Sequence, residues 1–456
     1  MSGRILLAAP GSGSGKTMIS IAVMSAMKKL GVSVTGYKCG PDYIDPMFHM
    51  KALGIPSRNL DPYFCDANKL RSIVRSGEGI AVIEGVMGYY DGIGIDGECS
   101  TYDVAVATDT PVILVINPRG MYTSVAALVK GFKEYKEDSH IAGVIFNNTS
   151  ERMYEGLKNI AIKAGVRPLG YMPSDSSIAV ESRHLGLVTA DEIKDIDDRI
   201  RRLTDMAIVC LDMDGIIELA EGARRYDDIP RGEEYEEVYF DDSVLDNFAE
   251  DKKPVIAVAF DDAFCFLYED NLEAIRKSGA ELTIFSPLTD KALPEGISGL
   301  YIPGGYPELY AERLSNNISM RQSIRSAIEA GLPTIAECGG FMYLGTEIDG
   351  TPMVGVIESK AKKTERLQRF GYGEMVCDRD TLIAKKGEKM RIHEFHYYDS
   401  DNTGADYIIT KASNGVRYPV SIGTNSLYAG YPHLYFAGEV DIAGRFVKKA
   451  KEYMND

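Results

Sequence analysis

The chain has 456 residues, a length that predicts two or three domains, and its formal net charge of −17 at pH 7 disfavours non-specific binding to nucleic acid or to anionic membranes. Its seven cysteines are widely spaced and include no C-x-x-C pair, which argues against a disulfide framework and against a zinc ribbon. No apolar run reaches the roughly 18 residues that span a bilayer, and no signal peptide is visible, so we expect a cytoplasmic protein.

A glycine-rich loop lies near the N-terminus, between an apolar strand and a helical pattern. The string RILLAAPGSGSGKT ends in Gly15, Lys16 and Thr17, and a strand that feeds such a loop into a helix predicts a phosphate-binding P-loop. Gly11 and Gly13 give the flexibility with which backbone N–H groups close on phosphate oxygens. Lys16 would reach the phosphates and the Thr17 hydroxyl would bind Mg²⁺. The alternative is a glycine turn before an ordinary helix.

The first half of the chain alternates apolar runs of strand length with amphipathic helical patterns. Strands are predicted at residues 32–38, 79–84, 111–117 and 141–147, and helices at residues 124–135 and 150–164. This alternation predicts a mainly parallel, doubly wound sheet whose ligands bind at the carboxyl ends of the strands. We therefore expect the functional side chains directly after the strands.

Four carboxylates and one lysine follow two of these strands. Lys38, Asp42 and Asp45 lie in KCGPDYIDPMFH, and Glu84 and Asp91 lie in EGVMGYYDG. Carboxylates at strand ends beside a P-loop suit Mg²⁺, and we take Asp45 and Glu84 as candidate metal ligands together with the P-loop threonine. Lys38 suits an anionic substrate or a transferred phosphoryl group, and a solvated lysine is the alternative.

One amide side chain also stands at a predicted strand end. Asn147 closes the strand at residues 141–147, directly before a helical pattern. It could contact the base of a bound nucleotide, or its side chain could cap the following helix. Because the P-loop is predicted at the same edge of the sheet, we keep Asn147 as a candidate nucleotide-binding residue.

The alternation weakens after residue 204 and returns at residue 254. The intervening stretch is acidic and has few long apolar runs, which predicts a linker at residues 205–253. Beyond it, strands are predicted at residues 255–260, 281–285, 299–302 and 333–337, and helices at residues 265–277 and 317–330. A second α/β domain is therefore expected at residues 254–456.

A cysteine stands where the last of these strands turns into a helical pattern. The strand at residues 333–337 runs directly into Cys338, Gly339 and Gly340, an arrangement typical of a nucleophile elbow with sulfur in place of oxygen. Such a turn exposes the side chain, and the helix N-terminus favours the thiolate. A structural cysteine is the alternative. We assign Cys338 as the candidate nucleophile.

A cysteine nucleophile needs a base, usually a histidine from elsewhere in the sequence. His433, in AGYPHLYFAG, is the candidate. His393 and His396 have a spacing that could serve a metal, although on a strand the two would point to opposite faces. Gly304 and Gly305 follow a strand in IPGGYPELY and predict a backbone N–H oxyanion hole, with an ordinary glycine turn as the alternative.

Eight strings in the chain together resemble the cobyrinic acid a,c-diamide synthase family. They are GSGSGKT, KCGPDYIDPMFH, SRNLD (57–61), VIEGVMGYYDG, RHLGL (183–187), PGGYPELYA (303–311), ECGGFMYL and HEFHY. The resemblance implies an α/β protein with two doubly wound domains. The first, at residues 1–204, would be a P-loop NTPase-like domain of the dethiobiotin-synthetase type. The second, at residues 254–456, would be a flavodoxin-like class I glutamine amidotransferase domain of the cobyric acid synthase subgroup.

The resemblance also implies a reaction with two sites. Cys338 would release ammonia from glutamine through a glutamyl thioester, and MgATP would phosphorylate a carboxylate on a corrin acetate side chain, which ammonia would then amidate at positions a and c. The family's functional residues carry over onto Lys16, Thr17, Asp42, Asp45, Glu84 and Asp91. Typical class I glutaminases have a glutamate two residues after the histidine, but this chain has Tyr435 there. The subgroup also lacks that glutamate, so we expect a Cys–His pair.

The sequence leaves other substrates and one other class of protein open. Nickel-sirohydrochlorin and hydrogenobyrinic acid are alternative acceptors in the same reaction. A partitioning or maturation ATPase is the alternative from another class, although it would leave Cys338 and His433 unused. We expect ATP and Mg²⁺ as cofactors and a tetrapyrrole carboxylate, L-glutamine and ATP as substrates. No nucleic acid or membrane partner is expected, and a homodimer is left open.

Overall fold

The computed structural model describes residues 3–175, 182–183, 186–187, 195–226 and 252–455. The chain divides into two units, residues 1–234 and residues 235–456, and each unit has its own sheet. No helix in the described part of the chain is long and apolar enough to cross a membrane.

The first unit is built on a parallel sheet. Its strands are β1 (Arg4–Ala8), β2 (Val34–Cys39), β3 (Ser57–Leu60), β4 (Ile80–Glu84), β5 (Val112–Ile116), β6 (Ile141–Asn147), β7 (Arg167–Met172), β8 (Ser182–Arg183) and β9 (Gly186–Leu187). Seven of them pair in the order β3-β2-β4-β1-β5-β6-β7, and β8 pairs with β9 alone. Every residue of β1, β4 and β5 is buried, as expected for central strands of a sheet that is covered on both faces.

Helices follow most of these strands. They are α1 (Lys16–Lys29), α2 (Ile44–Leu53), α3 (Ala67–Arg75), α4 (Thr101–Ala107), α5 (Val125–Tyr135), α6 (Glu151–Lys163), α7 (Ile196–Cys210) and α8 (Met213–Glu221). The helices α5 and α6 agree with the predicted ones to within a residue at each end. The predicted doubly wound α/β architecture is confirmed, and it brings the ends of β1, β2 and β4 to one edge of the sheet.

The linker predicted to begin at residue 205 is wrong in its first part. The helices α7 and α8 occupy this stretch, and Leu203, Ala207, Ile216 and Ala220 are buried on their inner faces. The acidic residues on the outer faces of both helices conceal this apolar spacing in the sequence. The remainder of the predicted linker, residues 227–251, lies outside the described residues and stays a prediction. The central histidine and leucine of the RHLGL string also lie outside them.

The described part of the second unit, residues 252–455, contains two sheets. Its strands are β10 (Val255–Ala259), β11 (Glu281–Phe285), β12 (Gly299–Ile302), β13 (Thr334–Glu337), β14 (Glu347–Ile348), β15 (Thr351–Pro352), β16 (Lys360–Cys377), β17 (Lys389–Ser400), β18 (Tyr407–Lys411), β19 (Arg417–Val420), β20 (Ile422–Gly423), β21 (Leu427–Gly430) and β22 (His433–Leu434). The first sheet has the order β11-β10-β12-β13-β21-β20 and is parallel except for β20.

The parallel sheet of the second unit separates two apolar clusters. Ile256 and Val258 of β10 belong to one cluster, whereas Ala257 and Ala259 belong to the other. Alternate residues of one strand therefore face different cores, because successive side chains point to opposite faces. The sheet is covered on both faces, and the predicted doubly wound architecture is confirmed for this unit as well.

The helices of the second unit are α9 (Glu269–Lys277), α10 (Ala311–Asn316), α11 (Ile318–Glu329), α12 (Gly339–Leu344) and α13 (Ile442–Asn455), with a 3₁₀ helix at Pro307–Tyr310. The helix predicted from residue 265 begins only at Glu269. The N–H groups of Cys265 and Phe266 donate instead to the carbonyl oxygen of Gly304, each at 3.0 Å. The segment before α9 is thus tied to the glycine loop after β12.

The second sheet, built mainly from β16–β19, was not predicted. The strand β16 has 18 residues and pairs antiparallel with β17 and β18. Many of its residues are charged and exposed, so it lacks the apolar run by which the other strands were recognised. The short strand β22 extends this sheet through β17, with His433 opposite His393.

Candidate active sites

The P-loop turn in the first unit depends on two glycines and on Asn147. Gly13 has φ 76° and Gly15 has φ 94°, in the region that favours glycine. A Cβ on Gly15 would lie 2.0 Å from Nδ2 of Asn147, and the same Nδ2 donates to the carbonyl oxygen of Ser14 at 3.0 Å. Asn147 therefore supports the loop backbone. It does not cap α6, because the N-cap of that helix is Ser150.

Lys16 begins α1, and its ammonium group is turned back over the loop. Nζ donates to the carbonyl oxygen of Met87 and to that of Gly11 at 3.4 Å. Burial, with a smaller contribution from the nearby Lys38, lowers the pKa of Lys16 to about 8. A buried lysine in the first turn of the P-loop helix is well placed to bind phosphate oxygens.

Lys38 and Glu84 lie at the carboxyl ends of two adjacent strands, β2 and β4, and meet in one cluster. They are partners in the β2–β4 register, and Nζ of Lys38 lies 2.8 Å from Oε1 of Glu84. The same ammonium group contacts the carboxylate of Asp45 in the first turn of α2. Thr17 Oγ1 donates to Oε1 of Glu84 at 2.5 Å. Four of the predicted site residues are thus brought into contact.

The charged groups of this cluster are all buried, and their pKa values respond to one another. Burial alone would lower the pKa of Lys38, but Asp45 and Glu84 outweigh it and raise that pKa well above its usual value. Burial opposes ionisation of Asp45, yet Lys38 holds its pKa below the usual value. Burial raises the pKa of Glu84. Because Lys38 is only 5% exposed, the alternative of a solvated lysine is wrong.

Asp42 and Asp91 lie at the margin of the cluster. Asp42 Oδ2 is 4.0 Å from Nζ of Lys38, and its Oδ1 accepts the N–H of Ile44 at 2.9 Å. Asp91 Oδ2 accepts the N–H of Gly88 at 2.9 Å, so it shapes the loop that follows β4. Roles for both carboxylates in nucleotide or substrate binding stay predictions.

The cluster offers the hard oxygen donors that Mg²⁺ prefers. Within the described residues no group of three or more His, Cys, Asp and Glu is arranged to hold a metal, but P-loop sites complete the magnesium shell with phosphate oxygens. Oε2 of Glu84 is buried and has no hydrogen-bond partner among the residues described, and the Thr17 hydroxyl contacts the same carboxylate. Thr17 and Glu84 therefore fit this ion, with Asp45 beside them.

His49 belongs to this site although the sequence reasoning did not single it out. It lies one turn after Asp45 on α2 and is fully buried. Nδ1 is 3.0 Å from Oγ of Ser57, and Nε2 is 3.8 Å from Oε2 of Glu84. Burial lowers the pKa of His49 to about 4, so its imidazole is neutral at pH 7. The i, i+4 spacing of Asp45 and His49 was the available signal.

In the second unit, Cys338 stands at a strained turn between β13 and α12. Its φ is 48° and its ψ is −102°, a backbone conformation that costs a non-glycine residue about 1–3 kcal/mol. Its N–H donates to the carbonyl oxygen of Gly430 at 2.7 Å. The predicted strand–cysteine–helix turn is present, and the role of Cys338 as nucleophile stays a prediction.

The expectation of an exposed side chain poised as a thiolate at Cys338 is wrong. The residue is 4% exposed, and burial raises the pKa of its thiol well above the usual value, with further contributions from Glu308, Glu337 and Glu394. The helix α12 has only six residues. The partial positive charge at its N-terminus does not offset the rise in the thiol pKa that burial and the three glutamates cause. Burial therefore favours the neutral thiol over the thiolate, and the thiol needs a base to act as a nucleophile.

The glycine loop after β12 contacts both the elbow and the candidate base. A Cβ on Gly339 would lie 2.9 Å from the backbone nitrogen of Gly305, and a Cβ on Gly304 would lie 2.6 Å from Cε1 of His433. The backbone N–H of Gly305 is thus beside the turn that carries Cys338. This is the location that an oxyanion hole requires, and the oxyanion role of Gly305 stays a prediction.

His433 is buried on β22, with its Nδ1 4.0 Å from Oε2 of Glu337. Burial lowers the pKa of His433 to about 3, so the imidazole is neutral, as a general base must be. Glu337 directly precedes the candidate nucleophile. The sequence reasoning did not single it out, because a carboxylate at the end of a strand gives no sign of the histidine it faces.

Two more buried groups near the elbow were also missed. Oε2 of Glu308, in the GGYPE string, is buried without a hydrogen-bond partner among the described residues, and burial raises the pKa of Glu308 to about 7. Glu394 accepts a hydrogen bond from the hydroxyl of Tyr418. His396 has the contacts of a packed core histidine, since its ring stacks on Tyr431 with centroids 4.0 Å apart.

Comparison with known proteins places most of the chain in two family models. Residues 5–188 match the CobQ/CobB/MinD/ParA nucleotide binding domain, and residues 255–440 match the CobB/CobQ-like glutamine amidotransferase domain. The two matched segments contain the P-loop cluster and the cysteine elbow respectively.

Similar proteins match along their whole length. A cobyrinate a,c-diamide synthase from Clostridium tetani is 38% identical over 98% of this chain and 99% of its own. One from Thermoplasma volcanium is 39% identical over 99% of this chain and 98% of its own. A hydrogenobyrinate a,c-diamide synthase from Thermobifida fusca is 36% identical over 97% of this chain and 96% of its own.

Proposed function

Because the chain belongs to the cobyrinate a,c-diamide synthase family, we propose that it amidates the a and c acetate side chains of cobyrinic acid with ATP and glutamine. One observation carries this proposal: a single chain holds a P-loop cluster in its first unit and a buried cysteine elbow in its second. A ligase that takes nitrogen from glutamine needs both, one to activate the acceptor carboxylate and one to release ammonia.

The second unit hydrolyses glutamine. Cys338 attacks the carboxamide carbon while His433 takes the thiol proton. The tetrahedral oxyanion accepts a hydrogen bond from the backbone N–H of Gly305. Ammonia leaves with the proton returned by the imidazolium, and water then hydrolyses the glutamyl thioester to glutamate and free thiol. The buried carboxylate of Glu308 suits the α-ammonium group of the bound glutamine, because it has an oxygen without a partner in the described residues.

The first unit activates the acetate side chain. The γ-phosphoryl group of ATP is transferred to the carboxylate, and ammonia attacks the acyl carbon and displaces phosphate. Lys16 binds the phosphate oxygens, and Lys38 lies at the adjacent strand end, where it suits the transferred phosphoryl group. When bound, Mg²⁺ neutralises charge on the phosphates, with Thr17, Glu84 and Asp45 as its candidate ligands.

The alternative acceptor with independent support is hydrogenobyrinic acid, since the Thermobifida fusca relative is named for it. The relatives from Clostridium tetani and Thermoplasma volcanium have a higher identity to this chain, and both are named for cobyrinate. None of the relatives described above is named for nickel-sirohydrochlorin. A partitioning ATPase would leave the elbow and its buried histidine without a function.

A substrate panel tests the proposed function. The purified protein is incubated with MgATP, glutamine and one of cobyrinic acid, hydrogenobyrinic acid or nickel-sirohydrochlorin, and products are identified by mass spectrometry. We expect the diamide of cobyrinic acid to form fastest. ATP turnover without amidation of any of the three, together with no glutamine hydrolysis, would favour the ATPase alternative.

Changing the strand-end carboxylates of the first unit should impair amidation and spare glutamine hydrolysis. We expect Asp45→Asn and Glu84→Gln each to lower amidation with ammonium salt by about 100-fold, because each change removes a candidate Mg²⁺ ligand that also contacts Lys38. Glutamate release should stay within about twofold, since the elbow lies in the other unit. Both rates are measured for each variant.

Asp66→Asn is the matched control for these carboxylate-to-amide changes. Asp66 is exposed and caps α3 by accepting the N–H of Lys69, a role that asparagine fills equally well. We expect it to keep both rates. If Asp45→Asn and Glu84→Gln lost both activities equally while remaining folded, the assignment of these carboxylates to a separate synthetase site would fail.

A further inference from the structure

The carboxyl group of Glu337 is enclosed by groups from β12 and from residues 433–436, the histidine segment. Glu337 is 1% exposed. Its Oε1 accepts the backbone N–H of Leu434 at 3.1 Å, and its Oε2 accepts the hydroxyl of Tyr301 at 3.1 Å. The same Oε2 lies 4.0 Å from Nδ1 of His433. One carboxylate therefore contacts the residue after the base and faces the base itself.

The residue two positions after the base has a different partner. The hydroxyl of Tyr435 donates to Oδ2 of Asp270 on α9 at 2.7 Å, and its ring meets the edge of Tyr268. Tyr435 is thus engaged with α9. The carboxylate that the structure places at Nδ1 of His433 comes instead from the residue directly before the nucleophile.

We propose that Glu337 is the positioning residue for His433, fixing the imidazole and stabilising the imidazolium that forms when His433 takes the thiol proton of Cys338. The inference rests on the proposed glutaminase function. In serine and cysteine hydrolases, a carboxylate at one imidazole nitrogen orients the ring so that the other nitrogen serves the nucleophile. Here the nucleophile and the orienting carboxylate are consecutive residues, at the end of β13.

The burial of both groups makes their charges mutually dependent. Burial raises the pKa of Glu337 to about 8 and lowers the pKa of His433 to about 3, so either group alone resists charge. A carboxylate beside an imidazolium stabilises both ions. Glu337 therefore matters most at the moment when His433 becomes protonated, which is a requirement of the reaction rather than of the resting fold.

The backbone of the histidine segment has supports other than Glu337. The side chain of Asn271 donates to the carbonyl oxygen of Leu434 at 3.0 Å and accepts the N–H of Phe436 at 2.8 Å. The pairing of β22 with β17 adds a further support. A glutamine at position 337 would still accept the N–H of Leu434, so the substitution removes the ionisable group and retains the framework.

The test is Glu337→Gln, measured as glutamine hydrolysis and as amidation with ammonium salt. We expect kcat for glutaminase to fall about 100-fold or more, since loss of the orienting carboxylate in a catalytic triad costs up to about 10⁴-fold. KM for glutamine should stay within about twofold, and amidation with ammonium should not change. Glu337→Asp keeps a carboxylate on a shorter side chain. Its kcat should be at least about tenfold higher than that of Glu337→Gln.

Asp270→Asn is the matched control. It makes the same carboxylate-to-amide change in a side chain that is 5% exposed. Asp270 contacts the histidine segment through the hydroxyl of Tyr435 and does not face the imidazole. This variant should keep the wild-type kcat within about threefold. A wild-type kcat in Glu337→Gln would overturn the proposal. An equal loss in Asp270→Asn, or no recovery in a folded Glu337→Asp, would also overturn it. A wild-type protein without glutaminase activity would instead overturn the proposed function.

Discussion

Replacing Cys338 by alanine is expected to lower the rate of amidation with glutamine by about 10³-fold or more and to leave the rate with ammonium salt nearly unchanged. The glutamyl thioester forms on this sulfur, whereas free ammonia at high pH reaches the activated carboxylate without help from the second unit. The measurement is the rate of diamide formation with each nitrogen source, with glutamate release recorded in parallel.

Cys377→Ala is the control for the loss of a buried sulfur in the same unit. Cys377 ends β16, is 3% exposed and lies with its Sγ 3.5 Å from the carbonyl oxygen of Lys385. We expect this variant to keep both rates. If Cys338→Ala kept its rate with glutamine, or lost both rates while still binding ATP, the separation into two sites would have to be abandoned.

Replacing Lys16 by alanine should have the complementary effect. We expect amidation to fall about 10³-fold or more with either nitrogen source, because a preorganised positive charge on the transferred phosphates is lost. Glutamine hydrolysis should persist, since its residues lie in the second unit. ATP binding, diamide formation and glutamate release are measured on the same preparation.

Lys29→Ala serves as the control on the same helix. Lys29 is in the last turn of α1, where it is exposed and forms an ion pair with Asp205. Surface pairs of this kind contribute about 0–1 kcal/mol to stability, so all three activities should remain. Near-normal amidation with ammonium in Lys16→Ala would refute the P-loop assignment.

The sequence was most informative where a short apolar run meets a glycine turn. The strands β4, β6, β12 and β13 were predicted to within a residue, because buried strands of a parallel sheet read as continuous apolar runs. The helix α7 and the strand β16 were missed for the opposite reason. Their buried residues are interrupted by charged ones that face solvent, so neither shows a continuous run.

The candidate sites show the same limit. Lys38, Asp45 and Glu84 could be predicted as a group because each follows a strand in one α/β unit. Glu337 could not, since its importance lies in its distance to a residue that is remote in sequence. Glu337 is 96 positions from His433, and only the packing of β13 beside the histidine segment brings its Oε2 to 4.0 Å from the imidazole.

The buried thiol of Cys338 also has a consequence for oxidation. Peroxides react with thiolates that solvent can reach, and this sulfur is 4% exposed with its pKa raised by burial. We therefore expect the resting protein to keep its free thiol under oxidant concentrations that convert exposed, acidic cysteines to sulfenic acid. An enzyme built in this way would tolerate episodes of oxidative stress without a reductase to restore its nucleophile.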